Sequence, residues 1–486
     1  PNMETLQRMA NRGSISTGGY EIDNSCKFEA DNSEQLYRTP SSDGNMKTWT
    51  YSVWFKRTEL GTGMTLISAL DTYMYFETDD TAWLNIRSAS TNFFMATNRK
   101  FRDTSAWYHA VIVCDLTDGT AADRLKLYIN GVRETSFSNN TYENADSDDN
   151  TGMHKATVHR IGQYSGYGNK FCGYMAEINS IDGQALAPTE FGEFDENSGI
   201  WKPKEYTGSY GTNGFYLDFA DAADLGDDES GNGNDWTEGG ITSADQATDT
   251  PTNNFCTLLG QQQDSVTGTE PSIKEGGTTM FGGATSSQNA VGTMGVRSGK
   301  WYFESTITNS GGVGTENHNF GVVAADQITA LSTGGGNDLG YVSGGWACAS
   351  NSSPRNNNAA ASGANATSAL AVDKIMGCAV DMDNGKIWWH NEGTWHSLNS
   401  TVGNPANGTT PAFSNLLTAT DEHLLPAGGF YINDNNQVRV MNFGGYAQAV
   451  FTAVGTYADA NGYGSFAYQP PSGFYAICTK NLAEYG

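Results

Sequence analysis

The chain is poor in positive charge and has no long apolar run. Its 27 Lys and Arg residues stand against 54 Asp and Glu residues, which gives a formal net charge of −27. Electrostatic binding of DNA or RNA needs a basic surface that releases counterions, so this balance argues against a nucleic-acid partner. No segment approaches the ~18 to 20 consecutive apolar residues of a membrane-spanning helix, which argues against membrane insertion.

Several signatures of catalysis and metal binding are also missing. The seven cysteines are scattered without CxxC pairs, and the seven histidines show neither HxH nor HExxH spacing. No GxSxG nucleophile elbow and no P-loop is present. The scattered cysteines predict buried free thiols in a protein made in a reducing cytoplasm, and the first 25 residues contain no apolar core of a signal peptide.

Glycine, other turn residues and aromatic residues are abundant. The sequence has 58 Gly, only 12 Pro and 12% aromatic residues, and no window shows a sustained apolar stripe of period 3.6. Many turns between short strands, with large side chains suited to sheet faces, predict an all-β protein. A chain of 486 residues is long enough for two domains that each bury a core.

The clearest structural signal is a predicted hairpin. Leu125, Leu127 and Ile129 alternate with other residues, which places the aliphatic side chains on one face of a strand. Asn130 and Gly131 follow directly, and these residue types best tolerate the positive φ angles of a two-residue I′ turn. The segment therefore predicts two antiparallel strands joined by a tight turn.

A second signal of the same kind lies far along the chain, where alternating residues flank Asn384 and Gly385. Two β-sandwich (jelly-roll-like) domains in tandem are therefore expected. The predicted parts are an N-terminal arm, a first sandwich, a turn-rich connector and a second sandwich with a C-terminal tail, at 1–17, 18–200, 201–270 and 271–486. Ten short strands are predicted in the first sandwich, at 26–28, 49–57, 64–69, 74–77, 83–87, 93–96, 110–114, 125–130, 155–161 and 174–181.

Paired carboxylates are the first candidates for catalysis. A retaining glycosidase places two carboxyl groups about 5 to 5.5 Å apart, which on a strand requires an even spacing on one face. Glu177 and Asp182 are five residues apart and would face opposite sides of a regular strand. No catalytic residue is therefore assigned, and a non-enzymatic protein is predicted.

An acidic, glycine-containing loop is the candidate metal site. Hard oxygen ligands in such a loop suit Ca²⁺, the one cofactor considered. The alternative is a solvated turn, because Asn, Asp and Gly form turns without a metal. The candidate ligands are Asp224, Asp227, Asp228, Asn232, Asn234 and Asp235.

Aromatic residues beside turns are the candidate ligand-binding residues. Sugar-binding clefts combine the faces of Trp or Tyr rings with a few polar groups. A single aromatic residue near a strand end more often closes the core than binds a ligand, so both roles stay open. The candidates are Trp346, Trp388, Trp395, Tyr164 and Tyr167.

Motifs in the first predicted sandwich resemble a known family. Trp-Tyr-His at 107–109 precedes a strand, and LKLYING at 125–131, FCG at 171–173 and APTEF at 187–191 follow in order. This order is similar to that of the laminin G-like, concanavalin A-type jelly roll. The carboxylates of the glucanases with that fold are not found, so the resemblance implies a binding or scaffolding module.

Motifs in the second half resemble the SPRY domain, a bent β-sandwich that binds partners through loops at one end. They are GKWYFESTI from Gly299, FGVV from Phe320, the second hairpin and VRVMNFGG from Val438. The composite chain is similar to bacteriophage virion proteins of the tail-fibre or minor structural type. This resemblance implies synthesis in the bacterial cytoplasm, assembly beside other virion proteins and, by analogy, a homotrimer.

Three functions follow from these observations. The first is non-enzymatic display, in which sandwich loops bind a host cell-surface glycan or protein. The second is a purely structural role, in which the sandwiches decorate or stabilise a capsid or tail. The third is a polysaccharide-degrading enzyme on the same scaffold. An exposed aromatic patch would favour display, whereas two carboxyl groups facing each other in an aromatic-lined cleft would favour the enzyme.

Overall fold

The computed structural model forms two compact units. One unit ends at Asn253, and the other runs from Asn254 to Gly486. The predicted N-terminal arm lies outside the described residues. Those residues are 19–88, 91–141, 145, 149–164, 168–196, 198–259, 271–282, 288–311, 318–331, 339–349, 354–361, 364–365, 372–430 and 436–486.

The first unit is built from short strands. Its described strands are β1 (Ser25–Phe28), β2 (Gln35–Arg38), β3 (Thr48–Arg57), β4 (Met64–Ala69), β5 (Thr72–Phe76), β6 (Thr81–Ser88), β7 (Thr91–Lys100), β8 (Tyr108–Asp115), β9 (Leu125–Ile129), β10 (Val132–Arg133), β11 (Phe137–Asn140), β12 (His159–Ile161), β13 (Gly173–Asp182), β14 (Gly192–Phe194), β15 (Trp201–Pro203), β16 (Phe215–Leu217), β17 (Thr237–Gly239) and β18 (Gln246–Ala247). Each of the ten predicted strands overlaps one of them.

Two eight-stranded antiparallel sheets face each other in this unit. Sheet A has the order β10-β9-β8-β3-β13-β1-β18, with β16 paired to β13. Sheet B has the order β11-β7-β6-β5-β4-β12-β2-β17. Buried side chains from both sheets, among them Trp49, Phe55 and Phe76, form one hydrophobic core. The predicted all-β sandwich is confirmed.

Sheet A is covered on its outer side as well, which explains why its central strands are buried throughout. Val111, Val113 and Ile181 point away from the main core and pack against Phe191. Tyr206 extends this second apolar layer. Sheet B therefore has the more open outer face of the two.

The first predicted hairpin has the expected turn. Asn130 and Gly131 have φ angles of 50° and 75°, and Ile129 pairs with Val132 across them. The side chain of Asn130 accepts a hydrogen bond from the backbone N–H of His109 at 2.7 Å. Gly131 also has a packing reason, because a Cβ there would lie 2.3 Å from Cε3 of Trp201.

His109 connects this hairpin to the rest of sheet A. Its Nδ1 accepts a hydrogen bond from the indole N–H of Trp201 at 2.9 Å, which leaves Nε2–H to donate to Ser52 Oγ at 2.8 Å. The ring stacks on Trp54 with a centroid distance of 4.6 Å. Burial lowers the pKa of His109 to about 3. The imidazole is therefore neutral and structural at neutral pH.

The connector folds with the first sandwich. Phe215, Leu217 and Trp236 belong to its core, and β18 pairs with β1. The boundary between the units thus falls after Asn253, whereas the prediction placed it at 270. The difference arises because a few large apolar residues in a glycine-rich segment are enough to bury it.

The second unit has strands and four short helices. Its described elements are β19 (Ser272–Lys274), β20 (Thr279–Phe281), β21 (Gln288–Val291), β22 (Lys300–Ser310), β23 (His318–Ala324), α1 (Ile328–Leu331), β24 (Gly345–Ala349), β25 (Arg355–Asn356), β26 (Ala359–Ala360), β27 (Ala364–Asn365), β28 (Ile375–Asp381), β29 (Lys386–Asn391), β30 (Thr394–Trp395), β31 (Ser397–Leu398), β32 (Thr401–Val402), α2 (Leu416–Ala419), β33 (Leu424–Phe430), β34 (Gln437–Asn442), α3 (Ala449–Thr452), β35 (Tyr475–Ala476) and α4 (Thr479–Tyr485). None of the helices in the described chain is long and apolar enough to cross a membrane.

Two further sheets form the second sandwich. Sheet C has the order β19-β20-β34-β22-β28-β29-β30, with β35 parallel to β22, and sheet D has the order β21-β33-β23-β24-β25-β26. Strands β27, β31 and β32 form a small third sheet. The interior between sheets C and D contains Trp301, Trp346 and Trp389.

The second predicted hairpin exists, but its turn is wider than expected. Asp381 pairs with Lys386, so four residues rather than two connect β28 and β29. Gly385 has a φ of 65°. The buried carboxylate of Asp381 accepts hydrogen bonds from the backbone and side chain of Asn384, which stabilises the wider loop. The seven cysteines of the chain are all buried and form no disulfide bond in the structure, as predicted.

Candidate functional site

The outer face of sheet B presents aromatic side chains to solvent. In β5, Met74 and Phe76 are buried in the core, whereas Tyr73 and Tyr75 lie on the opposite face and are half-buried. The period of two in a strand produces this separation directly. Trp83 on the neighbouring strand pairs with Tyr75 and is half-buried on the same face.

These rings form a continuous row, here called the aromatic row, that consists of Tyr164, Tyr73, Tyr75, Trp83 and Phe94. Successive ring centroids are 4.6, 5.3, 6.1 and 5.9 Å apart. All four separations lie within the range of about 4.5 to 7 Å in which aromatic rings attract each other. The row crosses several strands of sheet B.

A cleft of about 290 Å³ opens at one end of the aromatic row. Three tyrosine rings and three polar side chains line it. The phenol O–H of Tyr75 donates a hydrogen bond to Oε1 of Glu77 at 2.7 Å, and burial together with this carboxylate raises the pKa of Tyr75. The lining residues are Thr65, Tyr73, Tyr75, Glu77, Tyr164 and Asn169.

The cleft combines ring faces with hydrogen-bonding groups of both kinds. Glu77 supplies an acceptor and Asn169 an amide, whereas the hydroxyl of Thr65 is buried beneath them. The volume is at the lower end of the range of about 300 to 1,000 Å³ that is typical of small-molecule sites. Such a lining suits a ligand with an apolar ring face and several hydroxyl groups. Among the described lining residues, Glu77 is the single carboxylate.

Glu177 and Asp182 do not meet in this cleft. Glu177 lies at a β-bulge with a φ of 50°, and its carboxylate accepts hydrogen bonds from the hydroxyl groups of Tyr20 and Tyr216 at 3.1 and 2.7 Å. Burial raises its pKa to about 7. Asp182 accepts from the backbone N–H of Asn45 at 2.7 Å. Both carboxylates stabilise the chain around sheet A.

The predicted ligand-binding tryptophans are mostly structural. Trp346 and Trp388 are 0% and 2% exposed, and their indole N–H groups donate to Asn415 and to the carbonyl of Thr409. A fully buried ring cannot stack on a sugar, so the prediction for these two residues was wrong. Trp395 is half-buried and packs edge-on against the ring of His390 at 4.8 Å.

The predicted tyrosines have different outcomes. Tyr164 lines the cleft and contacts Tyr73. Tyr167 lies outside the described residues. The sequence reasoning missed Tyr73, Tyr75, Glu77 and Asn169. The alternation of tyrosine with core residues in β5 was the signal for the first two, since it identifies an aromatic outer face.

The predicted calcium loop is arranged as a hydrogen-bonded turn around Asp228. The carboxylate of Asp228 is 7% exposed and accepts four hydrogen bonds, from the backbone N–H groups of Tyr216, Ser230 and Asn234 and from the hydroxyl of Ser230. These four donors occupy its lone-pair positions. In this structure the loop is a hydrogen-bonded turn, and calcium binding by its residues stays a prediction.

Most other residues of that loop also form hydrogen bonds with backbone groups. Asp224 and Asp235 each accept a backbone N–H within the loop, and Asp227 is half-buried. The side-chain amides of Asn232 and Asn234 donate to backbone carbonyls of 211–214. In the described chain, three metal-ligating side chains come within 4.8 Å of one another at Glu29, Glu59 and Cys172, and not in this loop.

The geometry of the first sandwich agrees with a family comparison. Residues 31–190 match the family model of the concanavalin A-like lectin/glucanases superfamily. This part of the chain is similar to laminin G-like, concanavalin A-like domains. Seven of the eight strands of sheet B and all six described lining residues of the cleft lie within the matched residues, which make up about a third of the chain. No curated protein matches the chain.

Solved structures with similar folds occur among several kinds of protein. A candidate carbohydrate-binding protein from Bacteroides ovatus is 15% identical, with a TM-score of 0.32, and the match covers 46% of this chain and 60% of that one. A heptameric SAP-like pentraxin from Limulus polyphemus is 18% identical, with a TM-score of 0.26 and coverage of 35% and 80%. The SPRY domain of human HERC1 is 17% identical, with a TM-score of 0.26 and coverage of 34% and 89%.

Proposed function

We propose that the protein is a non-enzymatic recognition protein that binds a glycan in the cleft of sheet B. The observation that carries this proposal is the contact of three tyrosine rings with one another around a cleft that also contains Glu77 and Asn169. Ring faces pack against the apolar faces of sugars, and the polar groups bind their hydroxyls. The concanavalin A-like lectin/glucanases family match over residues 31–190 supports the glycan-binding part of this proposal.

Binding without hydrolysis is part of the proposal. Hydrolysis of a glycosidic bond by the usual two-carboxylate mechanism needs a second carboxyl group about 5 to 9.5 Å from the first. Glu77 is the one carboxylate among the described lining residues, and its Oε1 is held by Tyr75. Its role is then to accept hydrogen bonds from sugar hydroxyls.

A glycan-array screen, run with and without EDTA, tests binding and its metal dependence. We expect binding in both conditions, because the cleft provides its own polar groups. For a glycan that binds, Tyr73→Ala should weaken the affinity at least about tenfold, which corresponds to about 1.4 kcal/mol. Tyr457→Ala is the matched control, since Tyr457 is 46% exposed in the second unit.

Two results would contradict this proposal. One is the absence of binding to any glycan in both conditions, and the other is an unchanged affinity of the Tyr73 variant. Release of shorter sugars from the bound glycan, abolished by Glu77→Gln, would instead establish an enzyme. Chromatography of the incubated glycan distinguishes these cases.

The setting of this activity is a further part of the proposal. We infer display on a bacteriophage virion, as a tail fibre or another surface-exposed part that recognises the host cell. This role is supported by the likeness of the composite sequence to virion proteins. Mass spectrometry of purified particles of the encoding phage should find the chain at a stoichiometry typical of structural proteins. Its absence from purified particles would contradict the virion role without affecting glycan binding.

A further inference from the structure

The interior of the second sandwich contains an unusual group of polar side chains, here called the Arg439 cluster. It consists of Ser305, His318, Gln437 and Arg439. None of these residues is more than 1% exposed. A core between two sheets is normally apolar, and buried polar groups are normally hydrogen-bonded.

The position of the cluster follows from strand alternation. Gln437, Arg439 and Met441 occupy alternate positions of β34, and Met441 belongs to the core between sheets C and D. Arg439 therefore points between the sheets. Gly428 on sheet D lies opposite, and a Cβ there would be 2.7 Å from Cδ of the arginine.

The guanidinium of Arg439 is only partly satisfied. Nη1 donates a hydrogen bond to Oγ of Ser305 at 2.7 Å, and the group lies over the ring of Phe320, 6.0 Å from its centroid. Among the described residues, Nε and Nη2 have no hydrogen-bond partner. No carboxylate in the described part of the chain pairs with this arginine in a salt bridge. Burial lowers the pKa of Arg439 to about 9.

Other buried polar atoms near Arg439 also lack hydrogen-bond partners within the part of the chain that the structure describes. They are both ring nitrogens of His318 and the amide nitrogen of Gln437. His318 packs edge-on against Phe430 with a centroid distance of 5.1 Å. Burial, and secondarily the charge of Arg439, lower the pKa of His318 to about 3, so its imidazole is neutral and offers one donor and one acceptor.

Leaving these groups unpaired would be costly. An unsatisfied buried polar atom costs about 1 to 3 kcal/mol, and an uncompensated buried charge costs more. The open atoms also have a specific geometry, because Nε–H and Nη2–H of a guanidinium point in parallel and match the two oxygens of a carboxylate. The cluster is thus complementary to a planar anion.

We propose that the Arg439 cluster binds one carboxylate group through the parallel N–H donors of Arg439, beside His318 and Gln437. A monovalent anion is favoured over a divalent phosphate, because the site offers a single positive charge and a second negative charge would be desolvated without compensation. The carboxylate belongs either to a free small molecule or to an acidic side chain or C-terminus of a peptide. This site lies in the second unit and does not depend on glycan binding by the first.

The test uses the full chain and acetate as the probe. Thermal unfolding is measured while sodium chloride is replaced by sodium acetate at constant ionic strength. We expect the Tm to rise saturably with acetate and to rise less with phosphate. The line width of carbon-13 acetate in NMR provides a second readout that does not require unfolding.

Two variants at Arg439 define the site. Arg439→Met removes the charge and the donors, so it should abolish the acetate effect and leave the Tm without acetate unchanged or higher. Arg439→Lys keeps the charge but lacks the parallel donors, so it should bind acetate at least about tenfold more weakly. Arg297→Met is the matched control, because Arg297 is a surface residue of the same unit paired with Asp421, and it should respond to acetate like the unaltered protein.

Binding measurements with peptides identify whether the bound carboxylate belongs to a peptide or to a small molecule. Short peptides with a free C-terminus are compared with the same peptides carrying an amide there, and acidic peptides with their glutamine counterparts. Tighter binding of a carboxylate peptide than of acetate assigns the site to a peptide partner, and binding of acetate alone assigns it to a small molecule. An acetate response no greater than that to chloride, or one equal in the unaltered protein and Arg439→Lys, would overturn the proposal.

Discussion

Glu304 is a buried carboxylate whose four acceptor positions are all used. Oε1 accepts from the hydroxyl of Tyr302 and the backbone N–H of Tyr468, both at 2.9 Å. Oε2 accepts from the amide of Asn442 at 3.1 Å and the backbone N–H of Ala467 at 2.8 Å. Glu304 thereby holds the backbone at Ala467 and Tyr468 against sheet C through hydrogen bonds.

Replacing Glu304 by Gln tests this role at the scale of a residue. An amide nitrogen in place of either oxygen would face two donors, so two hydrogen bonds would be lost inside the core. We expect the free energy of unfolding to fall by at least about 2 kcal/mol, measured by urea denaturation. Glu422→Gln, an exposed change of the same kind, should stay within about 0.5 kcal/mol. Equal stability of the two variants would show that the four contacts contribute nothing.

At the scale of an element, the first hairpin depends on one glycine for two separate reasons. Gly131 has a φ of 75°, where a Cβ is strained, and Trp201 Cζ3 would lie 2.4 Å from that Cβ. Gly61 has nearly the same φ, 73°, but nothing lies within 4 Å of the position of its Cβ. Alanine variants at Gly61 and Gly131 therefore separate the energetic cost of backbone strain from the cost of the clash with Trp201.

We therefore expect Gly61→Ala to lower the free energy of unfolding by about 1 to 2 kcal/mol, through strain alone. Gly131→Ala should cost about 1 to 3 kcal/mol more, because the ring of Trp201 must move away from His109. Urea denaturation gives the energies, and near-ultraviolet circular dichroism reports the displaced indole. If both variants lose the same stability, the contact with Trp201 has no energetic weight.

At the scale of the whole molecule, buried titratable groups make stability depend on pH in two opposite directions. Burial lowers the pKa values of six histidines to about 3 or 4, so unfolding takes up protons below the ordinary histidine pKa of about 6.5. Stability due to these groups is complete above pH ~6.5 and is lost as the pH falls towards 4. They are His109, His154, His159, His318, His390 and His396.

Three buried glutamates act in the opposite sense. Burial raises the pKa values of Glu34, Glu177 and Glu304 to about 7. The folded state then holds protons that the unfolded state has lost, so stability due to these groups falls as the pH rises from about 4.5 to 7. Six histidines outweigh three glutamates over most of this window.

We expect the free energy of unfolding to be greatest near pH 7 and to fall steeply towards pH 5. Urea denaturation across this range measures it. The second unit, with three of the histidines and one of the glutamates, should lose stability more steeply than the first, which has three and two. Greater stability at pH 5 than at pH 7 would contradict the assignment of neutral buried histidines.

The strands and the first turn were determined by local sequence. An alternation of period two and an Asn-Gly pair act over a few residues, so ten of the eighteen described strands of the first unit and the I′ turn at Asn130 could be predicted without knowing the fold. The second turn was predicted less well, because the side chain of Asp381 and not the dipeptide decided its width.

The binding face was decided by the tertiary structure. The cleft joins Thr65, Tyr73 and Asn169, which are far apart in sequence and meet only because β5 and the chain after β12 lie beside β4. Closeness to a turn in the sequence did not predict that Trp346 is buried and Tyr164 half-buried. The exposure of each side chain depends on the residues that pack against it from other strands. Local patterns therefore specified the strands, whereas exposure, and with it the candidate function, came from long-range pairing and packing.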